Sequence, residues 1–210
     1  MRVLILDDHP LIRKAIRQVV ADCCPSWTIT EGATGEEALR LLHKEPADIA
    51  ILDIALPGES GLTVLKRIRQ FSPQTKCLVL SIHTEPHYVR LALELGASGY
   101  LSKESAPDEL EQALKALGKG GRYLAKSLQE SVDGFTSAPR SRSSRGALLS
   151  ARELEVLCIL ATGGTVSRAA KHLKLSVKTV STYRLRLLDK LDLQTTADLI
   201  RYAVDHDLVR

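Results

Sequence analysis

No stretch of this 210-residue sequence approaches the run of about 18 apolar residues that a membrane-crossing helix needs. Only four apolar residues separate Met1-Arg2 from Asp7 and Asp8, too few for the core of a secretion signal. Cysteine is sparse and poorly placed for staples. Cys23, Cys24, Cys77 and Cys158 form no CxxC pair and share no zinc-type spacing with histidine. The adjacent Cys23 and Cys24 are not expected to bridge each other. Cys77 and Cys158 sit inside apolar runs and read as small buried hydrophobes. These absences exclude a membrane span and a disulfide scaffold, and they imply a reduced, cytoplasmic setting. Hydrophobic residues make up 44% of the chain, enough to build a core without metal or disulfide support. A net positive excess is missing from the first part and confined to the second. Residues 1–124 hold 15 Lys/Arg against 16 Asp/Glu, and residues 125–210 hold 14 against 9. A net +5 in the second part marks where a polyanionic partner would bind, although a mild positive excess also suits an ordinary helical domain.

What is present is a repeating alternation of strand and helix. Val3–Leu6, Ile49–Leu52 and Cys77–Leu80 are continuous apolar runs, as expected of strands buried on both faces of a parallel sheet. Trp27–Thr30 and Gly99–Leu101 are weaker strand candidates. Between them, Ile12, Ala15, Ile16 and Val19 fall on one helical face. So do Ala38, Leu41 and Leu42, and then Leu110, Ala113, Leu114 and Leu117. Thr34 with Glu37 has capping-box spacing, and Pro86 and Pro107 suit first turns. Five βα units in succession predict a doubly wound α/β domain with a parallel five-stranded sheet over residues 1–124.

The pattern breaks at 133–146, DGFTSAPRSRSSRG, which is almost free of apolar residues. Composition makes 125–147 a linker. Its arginines read as a solvated tether or as phosphate contacts. From 148 to 210 the chain is helical. Ser150 with Glu153 repeats the capping-box spacing, and Leu154, Leu157, Cys158 and Ala161 form a stripe ended by Gly163-Gly164. A short helix near 166–173, a turn at Lys174–Ser176, a helix from Val177 to Leu191 and a last helix over about 195–206 follow. Ile200, Ala203 and Val204 are expected to face inward in that last helix.

Ligands of doubly wound sheets bind at the carboxyl ends of the strands. Asp7 and Asp8 end the first strand, Asp53 the third and Ser81 the fourth, and Lys103 follows the fifth. A lone Asp at a strand end ordinarily caps the next helix. Three carboxylates on one rim repel each other unless a cation joins them, and hard oxygen ligands suit Mg²⁺. One carboxylate can then attack a phosphoryl group held in line, with Lys103 and the Ser81 hydroxyl on the transferred oxygens. Asp53, central and followed by the Leu56-Pro57-Gly58 turn, is the candidate nucleophile. LILDDHPLIR, DIAILDIALPGESGL, LVLSIH and GASGYLSKES resemble the signature segments of bacterial two-component receiver domains over about residues 1–120. The resemblance implies phosphorylation of Asp53 and Mg²⁺ held by Asp7, Asp8, Asp53 and the backbone carbonyl of Ala55. It also implies a switch pair, Ser81 and Tyr100, and a phosphoryl-binding Lys103. Tyr100 would rotate into space vacated as Ser81 moves toward the phosphoryl group; a half-buried strand aromatic is the plainer reading of that residue.

LSARELEVLCILATG and SVKTVSTYRLRLLDKLDL resemble the LuxR-type helix-turn-helix. With the receiver, the chain is similar to response regulators of the NarL/FixJ kind. A recognition helix buries one stripe and offers the other to the major groove. Val177, Val180, Leu187, Leu188 and Leu191 supply the packed side. Ser181, Thr182 and Leu185 point toward base edges, and Lys178, Thr179, Arg184, Arg186 and Lys190 reach phosphates or bases. Ser176 caps the helix. The alternative for the charged residues is a solvated basic face. Two features depart from the family pattern. Arg168-Ala169 replace an acidic residue followed by Ile in the scaffolding helix, and Tyr183 stands where His is usual.

The expected function is therefore that of a two-component response regulator. A sensor histidine kinase would phosphorylate Asp53 in the presence of Mg²⁺, controlling binding to promoter DNA. RNA polymerase and a homodimer formed on phosphorylation or DNA binding would complete its partners, with no membrane. Two rivals stay open. One is a DNA-binding regulator independent of phosphorylation, with the receiver as a dimerisation module. The other is an aspartate-nucleophile phosphohydrolase, for which the sequence lacks a substrate-enclosing cap insertion.

Overall fold

The computed structural model describes residues 1–56, 59–84, 86–129, 149–205 and 208–209. It divides into two compact units, within Met1–Ala138 and Pro139–Arg210.

The first unit is built in chain order from β1 (Arg2–Leu6), α1 (Pro10–Cys23), β2 (Thr28–Gly32), α2 (Gly35–Lys44), β3 (Ile49–Leu52) and α3 (Gly61–Phe71). It continues with β4 (Lys76–Ser81), α4 (Pro86–Glu94), β5 (Gly99–Ser102), α5 (Ala106–Gly118) and β6 (Tyr123–Leu124). All strands are parallel, in the order β2-β1-β3-β4-β5-β6. The sheet thus has six strands where the sequence suggested five. The two-residue β6 carries too short a pattern to be seen by periodicity. Val3–Leu6, Ile49–Leu52 and Leu78–Leu80 are at most 2% exposed, which explains their unbroken apolar runs.

Local signals place the helices. Thr34 Oγ1 accepts from Glu37 N (3.2 Å), while the Glu37 carboxylate accepts from Ala33 N (2.9 Å), so the expected cap forms with its return bond one residue early. Pro86 opens α4, and Pro107 lies in the first turn of α5. Leu110, Ala113, Leu114 and Leu117 are buried together. In α1 the inward pair is Ile16 and Val20, and Ala15 is exposed. In α2, Ala38, Leu39 and Leu42 are buried. Ala125 and Leu128, inside the stretch expected as linker, are buried, and Ala125 N donates to Tyr100 O (3.4 Å). The rest of the expected linker, 130–147, lies outside the described residues.

The second unit has helices α6 (Ala151–Ala161), α7 (Val166–His172), α8 (Val177–Leu191) and α9 (Thr196–Asp205). Ser150 and Glu153 form the full capping box. Lys174 (φ 54) and Asp192 (φ 56) take left-handed backbone at the turns that start and end α8. Val156, Leu157, Leu160, Val180, Leu187, Leu191, Leu199 and Ala203 share one core. The inward pair of α9 is Leu199 and Ala203, four apart, whereas Val204 is 53% exposed. Arg152 and Glu155 pair at 2.6 Å inside this unit, and Arg152 also donates to Leu173 O (3.4 Å).

Candidate metal centre and nucleic-acid interface

Strand register assembles the first site. β1 lies between β2 and β3, so the chain leaves β1 toward one side of the sheet and β3 toward the other, the switch point at which such sheets bind ligands. Leu6 is paired with Leu52, which sets the next residues, Asp7 and Asp53, side by side. Asp53 N donates to Leu6 O (2.8 Å), carrying the ladder one step past the strand. On the other side, Ser81 pairs with Ser102, and Lys103 N donates to Ser81 O (2.8 Å). The lysine therefore leaves the sheet pointing back along the same rim.

Its ammonium joins the two acids. Lys103 Nζ lies 2.7 Å from Asp7 Oδ2 and 2.7 Å from Asp53 Oδ2. The Asp7 and Asp53 side chains are 1% and 2% exposed. Burial pushes the Asp53 carboxyl above the usual carboxylate range, and Asp7 adds to this, while Lys103 holds it down. Burial also works against the charge on Lys103. Attraction to Asp53 and Asp7 outweighs it and keeps the ammonium above the ordinary lysine value.

Asp8 stands half-buried beside this pair. His9 Nδ1 is 2.8 Å from Asp8 Oδ1 and 3.3 Å from Asp7 Oδ1. Ligand atoms of Asp7, Asp8, His9 and Asp53 all lie within 4.8 Å of one another. Three carboxylates and one ammonium leave two negative charges, which a divalent cation would balance. The oxygen-rich donor set fits a hard ion such as Mg²⁺. His9 was not singled out in the sequence; its only signal there is its place directly after the acidic pair. Ala55 donates its amide to Asp53 Oδ1 (3.0 Å), which fixes the acid's orientation. Pro57 and Gly58 of the expected open turn lie outside the described residues. Gly61 begins α3 against the Asp53 backbone, where an added Cβ would stand 1.8 Å from Asp53 O. Only glycine allows that approach.

The two expected switch residues meet at the β4–α4 loop. Ser81 Oγ accepts from His83 N (3.0 Å), and the Tyr100 hydroxyl donates to His83 O (2.6 Å). The His83 ring stacks on Tyr88 at 4.4 Å. Tyr100 is 0% exposed. Its side chain lies in the interior while Ser81 remains bonded to His83 N.

The second site is α8. Ser176 Oγ accepts from Thr179 N (3.0 Å), so the helix is capped as expected. Lys178, Thr179, Thr182, Tyr183 and Arg186 line a shallow concavity of about 260 Å³. The Arg186 guanidinium lies 5.9 Å from the Tyr183 ring centroid, so the aromatic departure from the family pattern helps aim a basic group. Leu185 is 58% exposed, and Ser181 is half-buried. Val177, the first residue of α8, was expected on the packed side and is instead 51% exposed. Two of the basic residues also have partners within the unit. Arg184 donates to Thr196 Oγ1 (3.0 Å) at the start of α9. Lys190 Nζ lies 2.8 Å from Glu153 Oε2 in the α6 cap. Of the family departures, Ala169 is fully buried and Arg168 donates its amide to the Thr165 cap (3.1 Å).

Known proteins resemble this chain across both units. The family model described as response regulator receiver domain matches residues 3–115. The one described as bacterial regulatory proteins, luxR family, matches residues 147–203. Response regulator UvrY of Escherichia coli (strain K12) is 32% identical over 208 residues, spanning 99% of this chain and 95% of its own. Transcriptional activator protein ExaE of Pseudomonas putida is 35% identical over 212 residues, spanning 100% and 99%. Among solved structures, RcsB from Salmonella enterica serovar Typhimurium, bound to promoter P1flhDC in the presence of the phosphomimetic BeF3−, superposes with a TM-score of 0.61 at 29% identity. That match covers 96% of this chain and 97% of the other. The chain belongs to the response-regulator family, as a two-component transcription regulator of the NarL/FixJ kind that pairs a receiver domain with a LuxR-type DNA-binding domain.

Proposed function

We propose that Asp53 is the phosphoacceptor and that its phosphorylation by a sensor histidine kinase controls promoter binding through α8. The observation that carries this reading is the Lys103 ammonium, 2.7 Å from both Asp7 and Asp53 on the rim of the sheet. It neutralises buried acids in the resting state and is in place for the oxygens of an incoming phosphoryl group. An Asp53 carboxylate oxygen attacks phosphorus, the bond from phosphorus to the kinase's histidine nitrogen breaks, and that nitrogen keeps the electron pair. Asp7, Asp8 and Asp53, with the Ala55 carbonyl, would hold Mg²⁺, which when bound offsets the charge on the phosphoryl oxygens. The added charge of about −1.5 to −2 draws the Ser81 hydroxyl from His83 N. The β4–α4 loop, pinned by Ser81 and Tyr100, then rearranges.

In the second unit, Lys178, Thr179, Thr182 and Arg186 are assigned to DNA, with Ser176, Ser181 and Leu185 beside them. Arg184 and Lys190 are assigned first to holding the domain together. Residues 1–124 with the buried Ala125 and Leu128 form the receiver, 148–210 the DNA-binding domain, and the Ser/Arg-rich stretch between them the connection. The chain is read as a cytoplasmic regulator that acts as a homodimer with RNA polymerase, and not as an enzyme turning over an external substrate; no described helix is long and apolar enough to cross a membrane.

Small-molecule phosphodonors such as acetyl phosphate should label the wild type with Mg²⁺ present and leave Asp53→Asn unlabelled. Labelling should also tighten binding to promoter fragments. An Asp53→Asn chain that still takes label would remove the assignment. The seated Tyr100 supports a second reading, promoter binding without phosphorylation, and equal affinity with and without donor would favour it.

A further inference from the structure

Cys23 and Cys24 take no part in either site. Adjacent side chains within a helix diverge by about 100°, so neighbouring thiols ordinarily cannot meet. Here the pair straddles a helix end. Cys23 is the last residue of α1, and Cys24 leaves the helical path (φ −141, ψ 62). That change of direction brings the two sulfurs within 3.5 Å, with both residues half-exposed.

The spacing selects what could bind. A centre with bonds to sulfur of about 2.3 Å, spanning 3.5 Å, subtends about 100° at itself. A linear two-coordinate ion would need sulfurs about 4.6 Å apart on the same bond length. Zinc would need four ligands. The only group of three or more His, Cys, Asp or Glu residues able to share an ion, among the described residues, is the one at Asp7. The bite therefore suits a pyramidal three-coordinate soft centre that brings its third substituent with it. We propose that Cys23 and Cys24 form a dithiol site for trivalent organoarsenicals.

The exchange balances without redox. Each As–O bond of R–As(OH)2 is replaced by an As–S bond, each thiol proton leaves on the departing oxygen as water, and arsenic stays trivalent. Burial, with the Cys24 thiol and Glu111 adding to it, pushes Cys23 up to about 11. The Cys23 thiolate is therefore scarce at neutral pH, whereas exchange with an arsenical carries its own proton acceptor.

The probe is phenylarsine oxide on the full-length chain, followed by intact-mass and peptide-level mass spectrometry. One phenylarsenic group per chain is expected, on the peptide holding residues 23 and 24. It should survive excess 2-mercaptoethanol and be removed by a small dithiol. In Cys23→Ser and separately in Cys24→Ser the chelate is lost, and apparent affinity should fall on the order of 100-fold or more. Wild-type label removed by the monothiol as readily as from either variant would overturn the assignment. So would label that persists in both variants.

Discussion

Lys103→Met removes the cation that bridges two buried carboxylates. Ligand oxygens of Asp7 and Asp53 lie within 4.8 Å of each other, and at an effective dielectric of about 20 that separation corresponds to roughly 3.5 kcal/mol of repulsion. Breaking a buried pair by deleting one partner typically costs about 3–5 kcal/mol, in the same range. The variant should therefore lose about 3–5 kcal/mol of stability at neutral pH without divalent ions. The sign of the pH effect follows from Asp53. Its pKa is already raised in the folded state, so the folded chain binds a proton more tightly than the unfolded one there. Stability thus falls as pH rises through the folded value and is regained as pH falls. Without Lys103 the pKa of Asp53 rises further, and that window extends upward. Mg²⁺ should restore stability by standing in for the lost charge. Urea denaturation of both proteins, with and without Mg²⁺, at neutral and mildly acidic pH, measures all of this. A loss under about 1 kcal/mol, or one indifferent to both pH and Mg²⁺, would refute the electrostatic account.

The other predictions concern packing, capping and DNA. Gly61→Ala drives a methyl to 1.8 Å from Asp53 O; it should cost about 2–3 kcal/mol in urea and slow acetyl phosphate labelling, whereas a substitution at Gly120, strained by its φ of +82 but facing open space, should leave labelling unchanged. Lys178→Ala and Arg186→Ala should each flatten the salt dependence of promoter binding by about one unit of slope, measured by fluorescence anisotropy. Lys190→Ala should leave that slope nearly intact and lower stability by at most about 1 kcal/mol, because the pair with Glu153 is partly exposed. Burial opposes the charge on Glu153, but bonds from Lys190 and Ser150 outweigh it and hold its pKa below the usual value. Its contribution is present above the unfolded pKa and lost as pH falls through the folded one. The acid limb of Glu153→Gln, followed by urea midpoints between about pH 6 and 3, should be flatter than that of the wild type.

Much of this organisation was legible because the parallel strands are buried on both faces and leave unbroken apolar runs. Asp7, Asp53, Ser81 and Lys103 could then be aligned by counting to strand ends. Elements with little pattern escaped: β6 has two residues, and Val20 rather than Ala15 completes the inward face of α1. Charge type alone could not tell which basic residues of α8 also bond within the unit. Arg184 and Lys190 look like DNA contacts in sequence, and only packing reveals that Thr196 and Glu153 hold them. Nor could sequence tell where Tyr100 points, since its partner is a backbone carbonyl, which any residue at 83 would offer.

That tyrosine bears on how much work the signal must do. A ring already seated leaves its desolvation out of the free-energy difference between silent and active conformers, so phosphorylation has a smaller gap to close. A ligand of fixed differential affinity then drives the equilibrium further, and a larger share of unmodified molecules is competent beforehand. The expected consequence in cells is leakiness: a reporter on the target promoters should show output before any stimulus, and no output without stimulus would refute this reasoning.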